Sequence, residues 1–226
     1  MAEDSKPKRE RLLSPKGSAV YPRLTVPDTK YNKDGEYNTG LLLSIDDASD
    51  LMADLDARVD AAFAKAIADN KGKTFKIVKG KKTDIVRNSP YVIELDEDGN
   101  ETGNVRFNFT MKATFIDPKT KEVLQRKPTL VDGKGNVIKG RVNVYGGSII
   151  KVNYTPSAYD SNFGVGVKLY LNAAQIIKLV TGGGSNHGFG ADEDAEYEYE
   201  APDNDSGFGN ESSAEAPDED EEDDQF

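Results

Sequence analysis

Seven cationic side chains crowd one stretch of the chain: Lys71, Lys73, Lys76, Lys79, Lys81, Lys82 and Arg87, opposed only by Asp84. Cations at that density on a short loop suit contacts to successive phosphates, because each neutralised phosphate releases a counterion. A solvated charged loop has the same composition, so this spacing alone leaves both readings level. Rings are the second ingredient, since an aromatic side chain stacks on any unpaired base for roughly 1–3 kcal/mol. Three tyrosines fall outside the apolar pattern. Tyr159 sits in the polar run TPSAYDSN, Tyr170 alternates outward with Lys168, and Tyr21 precedes PRL. Arg106 and Lys112 form the polar side of NVRFNFTMKATF, and Lys151 lies in GGSIIKVNY. Lys79, Lys81, Lys82, Arg106, Lys112, Lys151, Lys168, Tyr159, Tyr170 and Tyr21 are therefore the candidate nucleic-acid contacts. Phe107, Phe109, Phe115 and Phe163 lie on apolar strand faces and Phe63 on the apolar stripe of a helix, so a core position is expected for those five. Gly164 and Gly166 share the face of Tyr170, where they provide either strand curvature or space for a ligand backbone.

Catalytic constellations are missing. The single histidine, His187, sits in TGGGSNHGFG, where nothing would hold it in working geometry. DEDGNE (Asp96–Glu101) opens like a calcium loop, but its glycine is fourth rather than sixth and the twelfth position is Phe107, so a hairpin loop is expected. TGGGS lacks the lysine of a phosphate-cradling loop. There is no cysteine, which excludes disulfides and thiolate metal sites. No enzyme, metal or cofactor is expected.

The elements that must carry these side chains are mostly strands. Leu41–Ile45, Thr74–Val78 and Tyr91–Leu95 read as strands, the NVRFNFTMKATF run alternates apolar and polar residues most clearly, and GGSIIKVNY and FGVGVKLYL supply two more alternating strands. Turns are expected at Asp117–Glu122 and Asp132–Asn136. One segment, about 46–70, has helical period through Leu51, Leu55, Val59, Ala62, Phe63, Ala66 and Ile67, with Asp46, Asp47 and Asp50 at its dipole-favoured start. Many short strands and one long helix predict a mainly β fold: a small antiparallel barrel with a helix packed on it.

Charge divides the chain. The last 36 residues, 191–226, hold seventeen of the 40 acidic residues and no Lys or Arg, leaving 23 acids against all 29 bases before them. A basic body with an acidic tail points to nucleic acid or self-interaction. We expect a loose arm over 1–16, a folded domain over 17–181, a glycine-rich hinge over 182–190, and an acidic tail over 191–226 too poor in aliphatics to fold. The start has no apolar core like that of a signal peptide, and a cytoplasmic setting is expected.

From about Ser14 to Gly184 the runs FNFTMKATFIDPKTKE, LVDGKGN, GGSIIKVNY, GVGVKLYL and KLVTGGG occur in a telling order and spacing, with KGKK and the VPD at Val26–Asp28. In these runs the chain resembles the single-stranded DNA-binding proteins of T7-type bacteriophages. The resemblance implies an oligonucleotide-binding (OB) fold and sequence-tolerant binding of single-stranded DNA in phage replication, recombination and repair. It also implies an acidic tail that recruits the phage polymerase and helicase-primase in the infected host's cytoplasm, and it leaves a homodimer open. By position, Lys79, Lys81, Lys82 and Tyr159 match DNA-contact sites of the family. Ser161 stands where the family pattern has an aromatic, and the region before Tyr91 is reorganised, which leaves Arg87 unaligned.

The tail itself, closing on DEDEEDDQF, adds one further expectation. A tethered polyanion competes with DNA for a basic groove. Phe226, with Glu221, Glu222, Asp223 and Asp224, then offers a partner an apolar anchor framed by acids. The alternative is an acidic-tailed interaction module or chaperone that forms no stable DNA complex.

Overall fold

The computed structural model describes residues 10–180 except Tyr31 and Arg141. In chain order the elements are β1 (Leu12–Leu13), β2 (Gly17–Asp28), β3 (Glu36–Ser44), α1 (Ile45–Asp69), β4 (Phe75–Val78), β5 (Lys81–Asp84), β6 (Tyr91–Leu95), β7 (Glu101–Lys112), β8 (Thr114–Ile116), β9 (Val123–Gln125), β10 (Thr129–Val131), β11 (Ile149–Ser161) and β12 (Gly164–Lys178).

Alternation decides which side of each strand is wet. On β7, Val105, Phe107, Phe109 and Met111 are buried while Asn108 and Lys112 are exposed. The helix follows its apolar stripe, burying Ala48, Leu51, Leu55, Val59 and Ala66. Ser44 caps it by accepting from the Asp47 amide at 3.1 Å, and Asp46 and Asp47 occupy the first turn. Lys71 and Gly72, both at positive φ, take the chain out of the helix.

Pairing runs antiparallel from β2 to β3 and on to β7. Two residue pairs join β7 to β12, the long β11–β12 hairpin follows, and two pairs join β11 back to β2. Most of the helix and the inner strand faces share one core, centred on Leu41, Leu55, Phe107, Phe109, Ile150, Tyr154 and Leu169, while Ala66 packs with Ile85 and Val165 in a second, smaller cluster. Each such side chain contributes roughly 1.5–3 kcal/mol by burial. Phe109 and Tyr154 meet as a tilted ring pair at 5.2 Å.

A mainly β fold with one long helix is therefore what forms. The wholly antiparallel barrel needs correction. The β7–β12 join is parallel, and with two joins only two pairs long the strands wrap the core without an unbroken hydrogen-bonded wall. Two rings also leave their expected places. After Lys112 the β7 register ends, so Phe115 belongs to the separate β8–β9 hairpin and is 39% exposed. Phe163 occupies the β11–β12 tip and is 89% exposed.

Candidate nucleic-acid interface

The outward side of β7 supplies Arg106, Asn108, Thr110 and Lys112. Their register partners on β3 are Leu42, Gly40, Asn38 and Glu36. On the other edge, Tyr170 of β12 pairs beside Thr110. Two hollows open on this face. One, of about 280 Å³, is bordered by Tyr21, Glu36, Asn38, Arg106 and Thr110. The other, of about 460 Å³, is bordered by Arg11, Thr110, Lys112, Arg126 and Tyr170. Thr110 borders both, so they lie side by side along one grooved face, and its buried hydroxyl oxygen has no hydrogen-bond partner among the described residues.

Local backbone features shape the groove. A β-carbon on Gly40 would lie 3.2 Å from Arg106 Cδ and 3.0 Å from Val20 Cβ, so glycine lets the arginine stem lie against β3. Between Val20 and Arg23 the β2–β3 register slips, and Tyr21 takes a φ of 46° with 82% of its surface exposed. A bulky residue in that region costs about 1–3 kcal/mol, and the irregularity turns the ring outward beside Arg106. The cations there are partly neutralised. Arg106 Nε lies 2.9 Å from Glu94 Oε1 without hydrogen-bond alignment, and Lys168 Nζ lies 3.9 Å from Glu36 and 5.7 Å from the Tyr170 ring centroid.

Farther along the β11–β12 hairpin, Tyr159 pairs with Gly166 and Ser157 with Lys168, which continues the outward face. The Tyr159 ring covers Gly166, where a β-carbon would sit 2.7 Å from Oη. Its hydroxyl accepts from Asn88 Nδ2 at 3.1 Å, and the same amide donates to the Phe163 carbonyl at 3.2 Å. The space at Gly166 is thus filled by Tyr159, while Gly164, at φ 123°, faces Val86 and Asn88. Neither glycine has open space for a ligand backbone. Arg87 is spent elsewhere. Its Nε donates to Asp60 at 2.7 Å and Nη2 to Asp56 at 3.0 Å, which raises its pKa and ties it to α1. Tyr91 donates to Asp56 at 2.7 Å, and burial, then that bond, pushes its hydroxyl up to about 12.

This architecture has relatives. Residues 16–179 match the family model described as single-stranded DNA-binding protein, bacteriophage T7. The chain belongs to that family. It is 31% identical over 166 residues to the single-stranded DNA-binding protein of Enterobacteria phage T3, covering 72% of this chain and 70% of that one. Against the Escherichia phage T7 protein of the same name, identity is 32% over 136 residues, with 59% and 56% covered. The crystal structure of T7 gp2.5, described as a single-stranded DNA-binding protein, superposes with a TM-score of 0.63 at 25% identity, covering 78% of this chain and 96% of that one. The fold is OB-like, and these relatives are named as DNA-binding proteins rather than enzymes.

Within this family member the predicted contacts divide. Tyr21, Arg106, Lys112 and Tyr170 border the groove, and Lys168 and Tyr159 continue its face. Lys79, Lys81 and Lys82 stand on the separate β4–β5 hairpin, whose turn places Lys79 and Gly80 at positive φ. Lys82 Nζ lies 4.3 Å from the Phe75 ring centroid, and Lys76 bonds the Asp160 carboxylate. These three lysines do not line the hollows, nor does Lys151, which pairs with Gln175. His187, Glu221, Glu222, Asp223, Asp224 and Phe226 lie outside the described residues. Sequence reasoning missed Arg11, Arg126 and the exposed Phe163. For the last, the polar SN before it and the glycine after it were turn signals outweighed by the apolar ring. Among the described residues no His, Asp and Glu cluster is placed to hold a metal ion, and no helix is long and apolar enough to cross a membrane.

Proposed function

We propose that this protein binds single-stranded DNA without reading its sequence, as a non-enzymatic component of phage DNA replication, recombination and repair in the host cytoplasm. The observation that carries the reading is one outward face on which rings and cations interleave: Tyr21, Arg106, Lys112, Tyr170, Lys168 and Tyr159. Rings accept any base, and cations accept any phosphate. Glu94 and Glu36 hold Arg106 and Lys168 on the face. Lys79, Lys81 and Lys82 on their hairpin, and Lys151, add outlying phosphate contacts.

The acidic run 191–226 belongs to the same proposal. Its seventeen carboxylates compete with DNA for the cationic face, and once displaced it presents Phe226 with Glu221, Glu222, Asp223 and Asp224 to the phage polymerase and helicase-primase. The separation of charge along the chain supports this. The test is a competition: labelled oligo-dT bound to the full chain, challenged with unlabelled single or double strands of equal length. Displacement by single strands at far lower concentration is expected; equal displacement by duplex would reject the reading.

A further inference from the structure

Several cations of this molecule already face carboxylates: Arg106 with Glu94, Lys168 with Glu36, Arg87 with Asp56 and Asp60. The larger hollow is different. Arg11, Lys112 and Arg126 border it, and among the described residues no carboxylate does. Among the described residues, the Arg11 guanidinium and the Lys112 ammonium take part in no ion pair or hydrogen bond. Arg126 donates Nε to the Lys112 carbonyl at 2.7 Å and lays its guanidinium 5.8 Å from the Phe115 ring centroid. That bond and that ring fix the plane of the fork while both terminal nitrogens stay available to an oxyanion. Tyr170 forms another side of the hollow, and the unbonded Thr110 hydroxyl sits at its border with the rest of the groove.

Like charges gathered round one hollow repel each other, and among the described residues no carboxylate borders it to offset them, so an anion gains most by entering. A bare anion would leave the ring and the volume unused. About 460 Å³ lies within the range of small-molecule pockets. We propose that this hollow is a subsite for one phosphorylated nucleotide, the phosphate on Arg11, Lys112 and Arg126 and the base against Tyr170. The assignment rests on the single-strand reading above and adds to it a place where the strand is held by Arg11 and Arg126. A strand end and an interior residue both present this chemistry. An interior diester brings one charge, whereas a terminal phosphate brings about −1.5 to −2.

The experiment uses the full chain and three fluorescent oligo-dT strands: unphosphorylated, 5′-phosphorylated and 3′-phosphorylated. Affinity is read by anisotropy across a salt series for the unaltered protein, Arg11→Gln, Arg126→Gln and the control Lys134→Gln, a cation in the exposed Asp132–Asn136 turn. Arg11→Gln and Arg126→Gln should each lose about three- to tenfold in affinity and flatten the log–log salt slope by about 0.7 per charge removed. Lys134→Gln should change neither. Loss confined to one phosphorylated strand assigns the site to that end, and equal loss on all three assigns it to an interior nucleotide. Arg126→Gln combined with Tyr170→Ala should lose less than the product of the single losses, because both hold one nucleotide. If Arg11→Gln and Arg126→Gln both match Lys134→Gln in affinity and slope, the subsite is wrong. Should Arg126→Gln fail to fold, Arg11→Gln alone decides, since its side chain makes no hydrogen bond or ion pair among the described residues. Failure of the unaltered protein to bind any strand in dilute buffer would instead sink the single-strand reading beneath it.

Discussion

Tyr159 is pinned rather than free, with its ring over Gly166 and its hydroxyl accepting from Asn88. A ring ordered before binding loses little entropy when a base stacks on it. Gly166→Ala would put a methyl carbon 2.7 Å from Oη and dislodge the ring, so oligo-dT affinity should fall about tenfold in anisotropy titrations, and Asn88→Ala should cause a smaller fall. Unchanged affinity in both would remove Tyr159 from the interface. Phe163 and Phe107 make a second residue-scale contrast. Phe107 is fully buried, so Phe107→Ala should cost about 3–5 kcal/mol in denaturant unfolding. Phe163→Ala should leave stability within about 0.5 kcal/mol, because the ring is almost wholly exposed. Single-residue alternation treated the two alike. What separates them is the turn at Ser161–Gly164, where Ser161 donates to the Gly164 carbonyl and accepts from the Phe163 amide.

Elements with a strong period were legible in advance. α1 announces itself through Leu51, Leu55 and Val59, and β7 through Val105, Phe107 and Phe109, because burial of one face repeats along the chain. The parallel β7–β12 join was not legible, since two pairs between segments some sixty residues apart leave no local pattern. The Tyr21 irregularity and the salt bridges holding Arg87 were hidden for the same reason: both depend on partners elsewhere in the sequence. The helix start offers a clean check, because Ser44→Ala removes the acceptor for the Asp47 amide and should cost about 1 kcal/mol. Two exposed turns carry a pH signature. Bonds from Asn100 and Asn136 hold the Asp96 and Asp132 carboxyls below their ordinary range. Their stabilisation is present above the unfolded carboxyl value and is lost as pH falls through the lowered folded one. Proton resonances titrating Asp96 at or above the ordinary carboxylate range would contradict this.

For the whole molecule, charge is the organising quantity. A body with 29 basic and 23 acidic residues precedes an acidic run without a single Lys or Arg. If the acidic run competes as proposed, removing residues 191–226 should tighten oligo-dT binding most at low salt; unchanged affinity there would eliminate competition. Deleting Phe226 alone should leave DNA binding intact while weakening capture of the replication enzymes in a pull-down. The groove's role is tested most directly by anisotropy of the full chain on oligo-dT across a salt series, beside an Arg106→Gln and Tyr170→Ala double variant. Tight binding by the unaltered chain, a steep loss with salt, and a drop of about a hundredfold in the variant are predicted. Equal binding by variant and unaltered chain, with matching salt slopes, would place the strand on some other surface.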